Sequence, residues 1–523
     1  MPKSRKYPGV YIEEQNAFPQ SVVGVPTSVP AFIGYTPQAS YRGQSYHKKP
    51  VKITSFRDFQ TFFCWSDPPP PADPIQQYRP NYYLHALPLG TNDPKAVVIA
   101  GKSYALLPDP NTIYYLYNSI RLFYQNGGGD AYIVSVGTYG APSGKSIDPD
   151  ERIINQNVRL EDLLKGLAVL KKEQEPTIYV CPEATLLSLE NNASLMQAML
   201  LQNEQMGTAM SLLDIIGSHH PDPQHFMDDI TTFRENTGTH GLQYGVAYFP
   251  FIQINLTQST INYTNVLGGD LSALAEILGV EKEDNSPLNQ LISEILAPEA
   301  APRTTAQYHQ ALINVSPDYK AMMMSLREEI NLLPVSGAMA GVYTRVDNDR
   351  GVWKAPANVS IVGVTGLPLN ISHQQQENLN VDPVSGKSIN AIRSFPGRGV
   401  LVWGARTLAG NNSEARYISV RRTLIYIEQS IKNAMQPFVF EPNDQNTWTQ
   451  IRGMIDNFLL TLWRQGGLMG AKPADAYYVI CGLGTSMTPQ DIQDGRLIVM
   501  VGVAMVRPVE FMLIRLELAM TKP

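Results

Sequence analysis

The sequence predicts a multi-part α/β protein, and three observations predict it. Helix and strand patterns alternate from Thr112 to Phe251, the signature of an α/β domain. Two helical stretches between Ala415 and Gln465 each carry a single apolar face, so each needs a sheet to cover. Both ends of the chain read as extended segments.

The elements follow in chain order. From Tyr7 to Pro37 prolines stand at positions 8, 19, 26, 30 and 37 among β-branched and aromatic residues, so no helix can run there. The stretch reads as an extended arm leading into a buried strand at Ala31–Tyr35. Residues 65–112, with the run "SDPPPPADP", read as an irregular excursion. A helix from Thr112 to Gln125 stops at Gly127–Gly129 and gives way to a strand at Ala131–Val136. Leu160–Lys172 is predicted helical, "TIYVCPE" a strand, Ser188–Met206 helical, and "GLQYGVAYFPF" a further buried strand. Residues 255–330 change character, with short amphipathic helices around Ser272–Leu278 and Leu288–Leu296 and a Met-rich segment Tyr319–Glu329, and read as a helical insert. The polar stretch 371–391 reads as a surface excursion and as the boundary of the last domain.

That domain is predicted to begin with a helix over Ala415–Gln436, with Tyr417, Val420, Leu424, Ile427 and Ile431 on one face and Pro437 ending it. A second helix, with Trp448, Ile451, Ile455, Phe458 and Leu462 in line, starts near the capping candidate Asn446 and stops at Gly466-Gly467. The sheet they cover is predicted from "AYYVIC" and the terminal strands. Leu497–Val506 is an apolar run about half as long as a bilayer span requires. Beyond Arg507-Pro508, Met512, Ile514, Leu516 and Leu518 alternate with Arg515 and Glu517, the period of a half-buried strand. The expected boundaries are an arm over 1–24, an outer α/β region over 25–370, an inner domain over 371–495 and C-terminal linking strands over 496–523.

Charge and cysteines narrow the function classes. The formal net charge is −6 and the pI is near 5.8, which argues against a dedicated nucleic-acid binder. Residues 391–523 carry a balance of +4 and the remainder −10, so the C-terminal quarter is the basic part. Cys64, Cys181 and Cys481 stand far apart with no CxxC pair, so neither a disulfide framework nor a zinc knuckle is encoded. The basic N-terminus meets Pro8, Gly9 and two glutamates where a signal peptide needs its apolar stretch, so synthesis and assembly in the cytoplasm are expected.

Catalytic motifs find little support. Gly144-Lys145-Ser146 and Gly386-Lys387-Ser388 mimic the end of a phosphate-binding loop, but Tyr139 and Val381 occupy the position of its first glycine. His219, His220, Asp222, His225, Asp228 and Asp229 gather in "SHHPDPQHFMDD", half a metal site by composition, yet the prolines favour a solvated turn. His240 adds nothing to it. There is no G-x-S-x-G elbow, no HExxH and no cysteine with an evident base. No cofactor and no resident metal are expected, and the chain is not expected to be an enzyme.

Several segments taken together resemble the contractile tail sheath family of phage tails, R-type bacteriocins and extracellular contractile injection systems. They are "YPGVYIEE", "GVPTSVPAFIGYT", "RLFYQNGGGDAYIVSV", "LLPVSGAMAGVYTRVDNDRGVWKAPAN", "FPGRGVLVWGARTL", "FEPNDQNTWTQIRGMIDNFLLTLWRQGGLMG" and "DIQDGRLIVMVGVAMVRPVEFMLIRLEL". The resemblance implies a structural subunit that stores energy, polymerises helically with six-fold symmetry around an inner tube, and contracts. Its implied partners are copies of itself, the tube protein, baseplate and terminator or cap proteins, and sheath paralogues, with no nucleic acid and no membrane insertion. It further implies that the terminal segments leave their own subunit and add strands to a small sheet in neighbours. Mapped here, the arm residues are Tyr7, Val10, Tyr11, Ile12, Val22 and Val23 at one end. At the other they are Leu497, Val499, Val501, Val503, Met512, Ile514, Leu516 and Leu518. It also places the basic C-terminal quarter against the tube, with Arg452 and Asp456 on the exposed helix face. The competing classes are a non-contractile surface-layer polymer and a P-loop enzyme.

Overall fold

The computed structural model describes residues 21–64, 78–88, 95–256, 261–280, 286–297 and 303–513. The chain divides into two units: a larger one of Pro26–Arg422 with the segment from Pro508 onward, and a smaller one of the residues up to Val25 with Thr423–Arg507.

The larger unit is built on an eight-stranded sheet. In chain order its strands are β1 (Pro30–Thr36), β2 (Val51–Ile53), β3 (Ala131–Thr138), β4 (Ile178–Val180), β5 (Met210–Asp214), β6 (Gly245–Phe249), β7 (Asn390–Phe395) and β8 (Gly399–Trp403). Across the sheet the order is β8-β7-β6-β5-β4-β1-β3-β2. The six inner strands run parallel, while β2 and β8 close the two edges antiparallel. The helical crossovers are α1 (Leu116–Gln125), α2 (Leu160–Val169), α3 (Leu189–Met206) and α4 (Phe226–Asn236). Winding starts at β1, goes to β3 on one side and returns to β4 on the other, a doubly wound pattern.

Strands β1, β5 and β6 are buried along their whole length, as parallel strands covered on both faces must be. This is why β5 escapes a period-two search: "MSLLD" has no polar side to show. Its polar groups are engaged. Ser211 accepts from Asn203, and Asp214 accepts the amides of Val335 and Ser336 at 3.0 Å, capping α6 (Ser336–Arg350). Helix α6 is itself almost wholly buried and lacks an amphipathic period. Gly337 and Gly341 let it lie directly on α1: a Cβ at either would stand 2.6 Å or less from the Ser119 or Phe123 backbone and side-chain atoms.

The expected helical insert is helical in its described parts, over Leu271–Ile277, Pro287–Leu296, Thr305–Val315 and α5 (Pro317–Ile330). Two expectations need correction. The excursion 65–112 is not irregular throughout, because Tyr82–Ala86, Val97–Ile99 and Lys102–Pro108 form a three-stranded antiparallel sheet. The boundary expected at 371 also fails. The segment His373–Asn380 is a helix with a buried Leu379, and Asn390–Trp403 supplies β7 and β8 to the large sheet.

The smaller unit starts inside α7 (Ile418–Met435), whose residues Thr423–Met435 belong to it. It continues through α8 (Gln445–Arg464) to a two-stranded antiparallel sheet of β9 (Tyr477–Cys481) and β10 (Val499–Val503). The cap of α8 is Asp444, which accepts from the amides of Asn446 and Thr447 at 3.0 Å, rather than Asn446 itself. Trp448, Ile451, Ile455, Phe458 and Leu462 are buried as their spacing requires.

Candidate functional site

The small sheet of the smaller unit has one covered face and one open face. Trp448 of α8, Cys481 of β9 and Met487 form a buried cluster, against which Leu497 and Val499 pack. Tyr478 and Met500 stand about half exposed on the other face. The ladder pairs Tyr477 with Val503, Val479 with Val501 and Cys481 with Val499. Among the described residues no third strand joins either edge. A lone two-stranded sheet is marginal in water, and its open edges are templates for another strand.

The described part of the N-terminal arm lies along α7 within this unit. Val22 is buried, Val23 is 75% exposed, Gly24 sits where a Cβ would be 2.2 Å from the Tyr426 hydroxyl, and the Val25 amide donates to Ser430 at 3.1 Å.

In the larger unit the chain entering and the chain leaving are each fastened by an arginine–carboxylate pair, the first buried and the second with a buried arginine and a partly exposed carboxylate. Arg422 and Asp347, both 3% exposed, form a bidentate pair at 2.8 and 2.5 Å. The same pair holds Thr27: its hydroxyl donates to Asp347 at 2.6 Å and its carbonyl accepts from Arg422 at 2.9 Å. At the other end, Glu510 accepts from Arg406 Nε at 2.8 Å and Nη2 at 2.6 Å, from Asn380 Nδ2 at 2.8 Å and from the Tyr417 hydroxyl at 3.1 Å. Burial alone would raise the Glu510 pKa. The hydrogen bonds from Arg406 and Asn380, with the Arg406 charge, outweigh it and hold the carboxyl below its usual range. Beyond this clasp Phe511, Met512 and Leu513 are 73%, 81% and 84% exposed, a run of apolar side chains that nothing among the described residues covers.

The place where a doubly wound sheet would hold a ligand is filled from within. Glu183, just past β4, is fully buried beside Gly34 of β1, and its Oε1 accepts the Leu116 amide at the start of α1 at 2.9 Å. A protein carboxyl thus occupies the helix N-terminus that would otherwise cradle an anion. Burial pushes its pKa up to about 8.

The two GKS stretches are turns. The Ser143 and Gly144 amides donate to the Asp109 carboxylate at 3.1 and 3.0 Å, which spends the groups a phosphate would need. Lys387 is buried with its ammonium on the Arg234 carbonyl, and Ser388 donates to the Asn380 carbonyl at 2.6 Å.

Residues 411–519 match the phage tail sheath C-terminal domain, and residues 290–408 match the phage tail sheath protein central domain. The chain belongs to the contractile tail sheath family.

Solved sheaths resemble this sheath chain along nearly its whole length. The anti-feeding prophage helical sheath in its contracted state is 25% identical with a TM-score of 0.58, covering 98% of this chain and 99% of that one. A chain of the six-fold symmetrised anti-feeding prophage baseplate is 26% identical with a TM-score of 0.56, covering 99% and 100%. The tail sheath protein of Burkholderia phage BcepMu is 29% identical over 232 residues, 43% of this chain and 47% of that protein. The tail sheath protein of Vibrio phage KVP40 is 25% identical over 154 residues, 29% of this chain and 22% of that protein. The sheath chain therefore matches about half or less of the length of these two relatives.

The structure separates the residues that the sequence had grouped as arms. Tyr7, Val10, Tyr11, Ile12, Ile514, Leu516 and Leu518 lie outside the described residues. Val499, Val501 and Val503 do not form a departing strand in this chain. They pair with its own β9, because an antiparallel partner with the same apolar side over α8 stands within the same unit. Met512 lies outside any helix or strand, with no strand partner among the described residues. Arg452 and Asp456 are exposed on the outer face of α8, as their spacing requires. Among the described residues no helix is long and apolar enough to cross a membrane. The two clasps, Arg422–Asp347 and Arg406–Glu510, were missed. An exposed arginine and a buried one look alike in sequence, and only the position of Glu510 just before a sticky alternating segment hinted at a role.

Proposed function

We propose that this sheath chain is an energy-storing subunit that polymerises helically, with six-fold symmetry, around an inner tube and contracts to drive the tube through a target envelope. The observation that supports this most directly is the pairing of an open-edged two-stranded sheet with chain ends that are fastened at their roots and apolar beyond them. In this reading β9–β10 is the receiving sheet, and the segments around Tyr7–Ile12 and Met512–Leu518 arrive from neighbouring copies as added strands. Six ladder hydrogen bonds at about 0.5–1.5 kcal/mol each, with an apolar face, give a joint of several kcal/mol. Such a joint survives rotation of the bodies it links. The two clasps then transmit load from the joints into the larger unit, and the lattice shortens into a better-packed state without chemistry at the moment of release. Its partners are the tube, baseplate and terminator or cap proteins and sheath paralogues. The open helical polymer is a heterologous assembly.

The test is hydrogen exchange on the purified chain before and after polymerisation, with electron microscopy to establish the polymer. The outward-facing amides of β9 and β10 should become protected on assembly. Polymers in which those amides exchange as fast as in the free chain would show that the small sheet receives nothing.

A further inference from the structure

We propose that His219, His220 and Glu329 form a divalent-metal site of the zinc class on the wall of a large cavity of mixed polar and apolar lining in the larger unit. The three side chains come from separate elements. His219 and His220 follow β5 after a turn at Gly217, where φ is +90°, and Glu329 lies in the last turn of α5. One ligand atom from each falls within 4.8 Å of the others. The two imidazoles meet edge to face at 4.1 Å between centroids, and His220 Nε2 stands 2.8 Å from Glu329 Oε2.

Two imidazoles and one carboxylate are a ligand set that suits zinc and its first-row neighbours, with the fourth position left to water. Metal–ligand distances of about 2.0–2.2 Å place tetrahedral ligands roughly 3.4 Å apart, so ligand atoms that lie within 4.8 Å of one another are near that spacing. The open position has space, because the cluster borders a cavity of about 780 Å³. No described residue offers a hydrogen bond to either ring nitrogen of His219, which leaves that imidazole with unused ligating capacity. Three of the other groups of the motif are engaged elsewhere: His225 with Asp222 at 2.8 Å, and Asp229 with Arg152 at 2.6 Å.

Lys95 sets the opposing force. Its ammonium contacts His220 Nδ1, so a tethered cation already leans on the cluster when no metal is present. Lys95 is exposed on a flexible four-carbon stem and can withdraw into solvent, which makes it a competitor rather than a barrier. A bound ion would clip α5, the last helix of the helical insert, to the end of β5 in the main sheet.

The experiment titrates the full chain, free of any histidine tag, with Co²⁺ as a spectroscopic probe and with Zn²⁺ in competition. The expected result is one Co²⁺ per chain with visible ligand-field bands, displaced by Zn²⁺. His219→Ala and Glu329→Gln should weaken binding about tenfold or more, His225→Ala should leave it unchanged, and Lys95→Met should tighten it. Glu329→Gln keeps the side-chain shape and a hydrogen-bonding partner for His220, so circular dichroism should show an intact fold. Absence of stoichiometric binding in both wild type and Lys95→Met overturns the proposal, as does binding that Glu329→Gln leaves unaltered.

Discussion

Replacing Glu510 by alanine isolates the fastening of the C-terminal segment. The change removes four accepted hydrogen bonds and leaves the Arg406 guanidinium, 4% exposed, without its counter-charge. Breaking a fully buried pair from one side costs about 3–5 kcal/mol. Glu510 is itself 20% exposed, and water can reach Arg406 once the segment lifts, so a cost of roughly 1.5–3 kcal/mol is expected here. At about 1.4 kcal/mol per decade, the population with the segment detached should rise roughly 10- to 100-fold. Limited proteolysis between Arg507 and Leu513, together with hydrogen exchange, measures that population, and sedimentation measures polymerisation. The double variant Arg406→Met/Glu510→Met should recover most of the stability, since it leaves no orphaned charge. The pH response follows from the sign of the shift. Because the folded carboxyl titrates below its ordinary value, its stabilisation is fully present above pH 4.5 and disappears as the pH falls through the lowered pKa. The gap between wild type and Glu510→Gln should therefore be flat from neutral pH down to that point and close in acid. If Glu510→Ala is neutral to within about 0.5 kcal/mol and polymerises normally, the clasp is an incidental surface pair and the reasoning fails.

Four further outcomes are expected. Removal of Met1–Gly24 should leave a folded chain that does not polymerise; loss of the circular dichroism signal would instead assign the arm to the core of its own unit. Ile514→Asp or Leu516→Asp should block polymerisation far more than Arg515→Ala, and equal effects in sedimentation would show the register to be wrong. Arg452→Glu should weaken assembly on purified tubes at low salt and converge with wild type as salt rises, whereas equal assembly at low salt would leave α8 a solvated face. Glu183→Gln should be the more stable protein at pH 8, by on the order of 2–4 kcal/mol, and level with wild type at pH 4, because a buried carboxyl raised to about 8 loses its stability contribution as the pH rises from 4.5; parallel melting curves across that range would refute it.

The alternation of elements was legible because β1, β6, α7 and α8 combine long apolar patterns with clear stops at Pro437 and Gly466. β5 and α6 were not, for opposite reasons. One is buried on both faces, and the other is buried around most of its girth, with Gly337 and Gly341 at the points where α1 approaches. The expected departure of Val499–Val503 shows a further limit. A period of two reports that a strand is sticky, not whose edge it joins, and here β9 was available in the same unit. Pairings across long separations were invisible altogether. Glu329 meets His220 across 109 residues and Glu510 meets Arg406 across 104, and no local pattern marks either.

The Arg406–Glu510 clasp also works as the fixed end of a measuring tape. Covalent geometry limits an extended chain to about 3.3–3.6 Å per residue, so Leu518 can stand at most roughly 29 Å from the Glu510 Cα. The N-terminal leash is longer, because fifteen residues separate Tyr7 from the buried Val22 and allow roughly 54 Å. If both ends seat in neighbouring small sheets, the short leash must set how far two copies can draw apart before a joint breaks, while the long one stays slack. The spacing of the lattice in its stretched state would then be inscribed in the eight residues after Glu510, and inserting residues there should lengthen the permitted stretch without touching any contact.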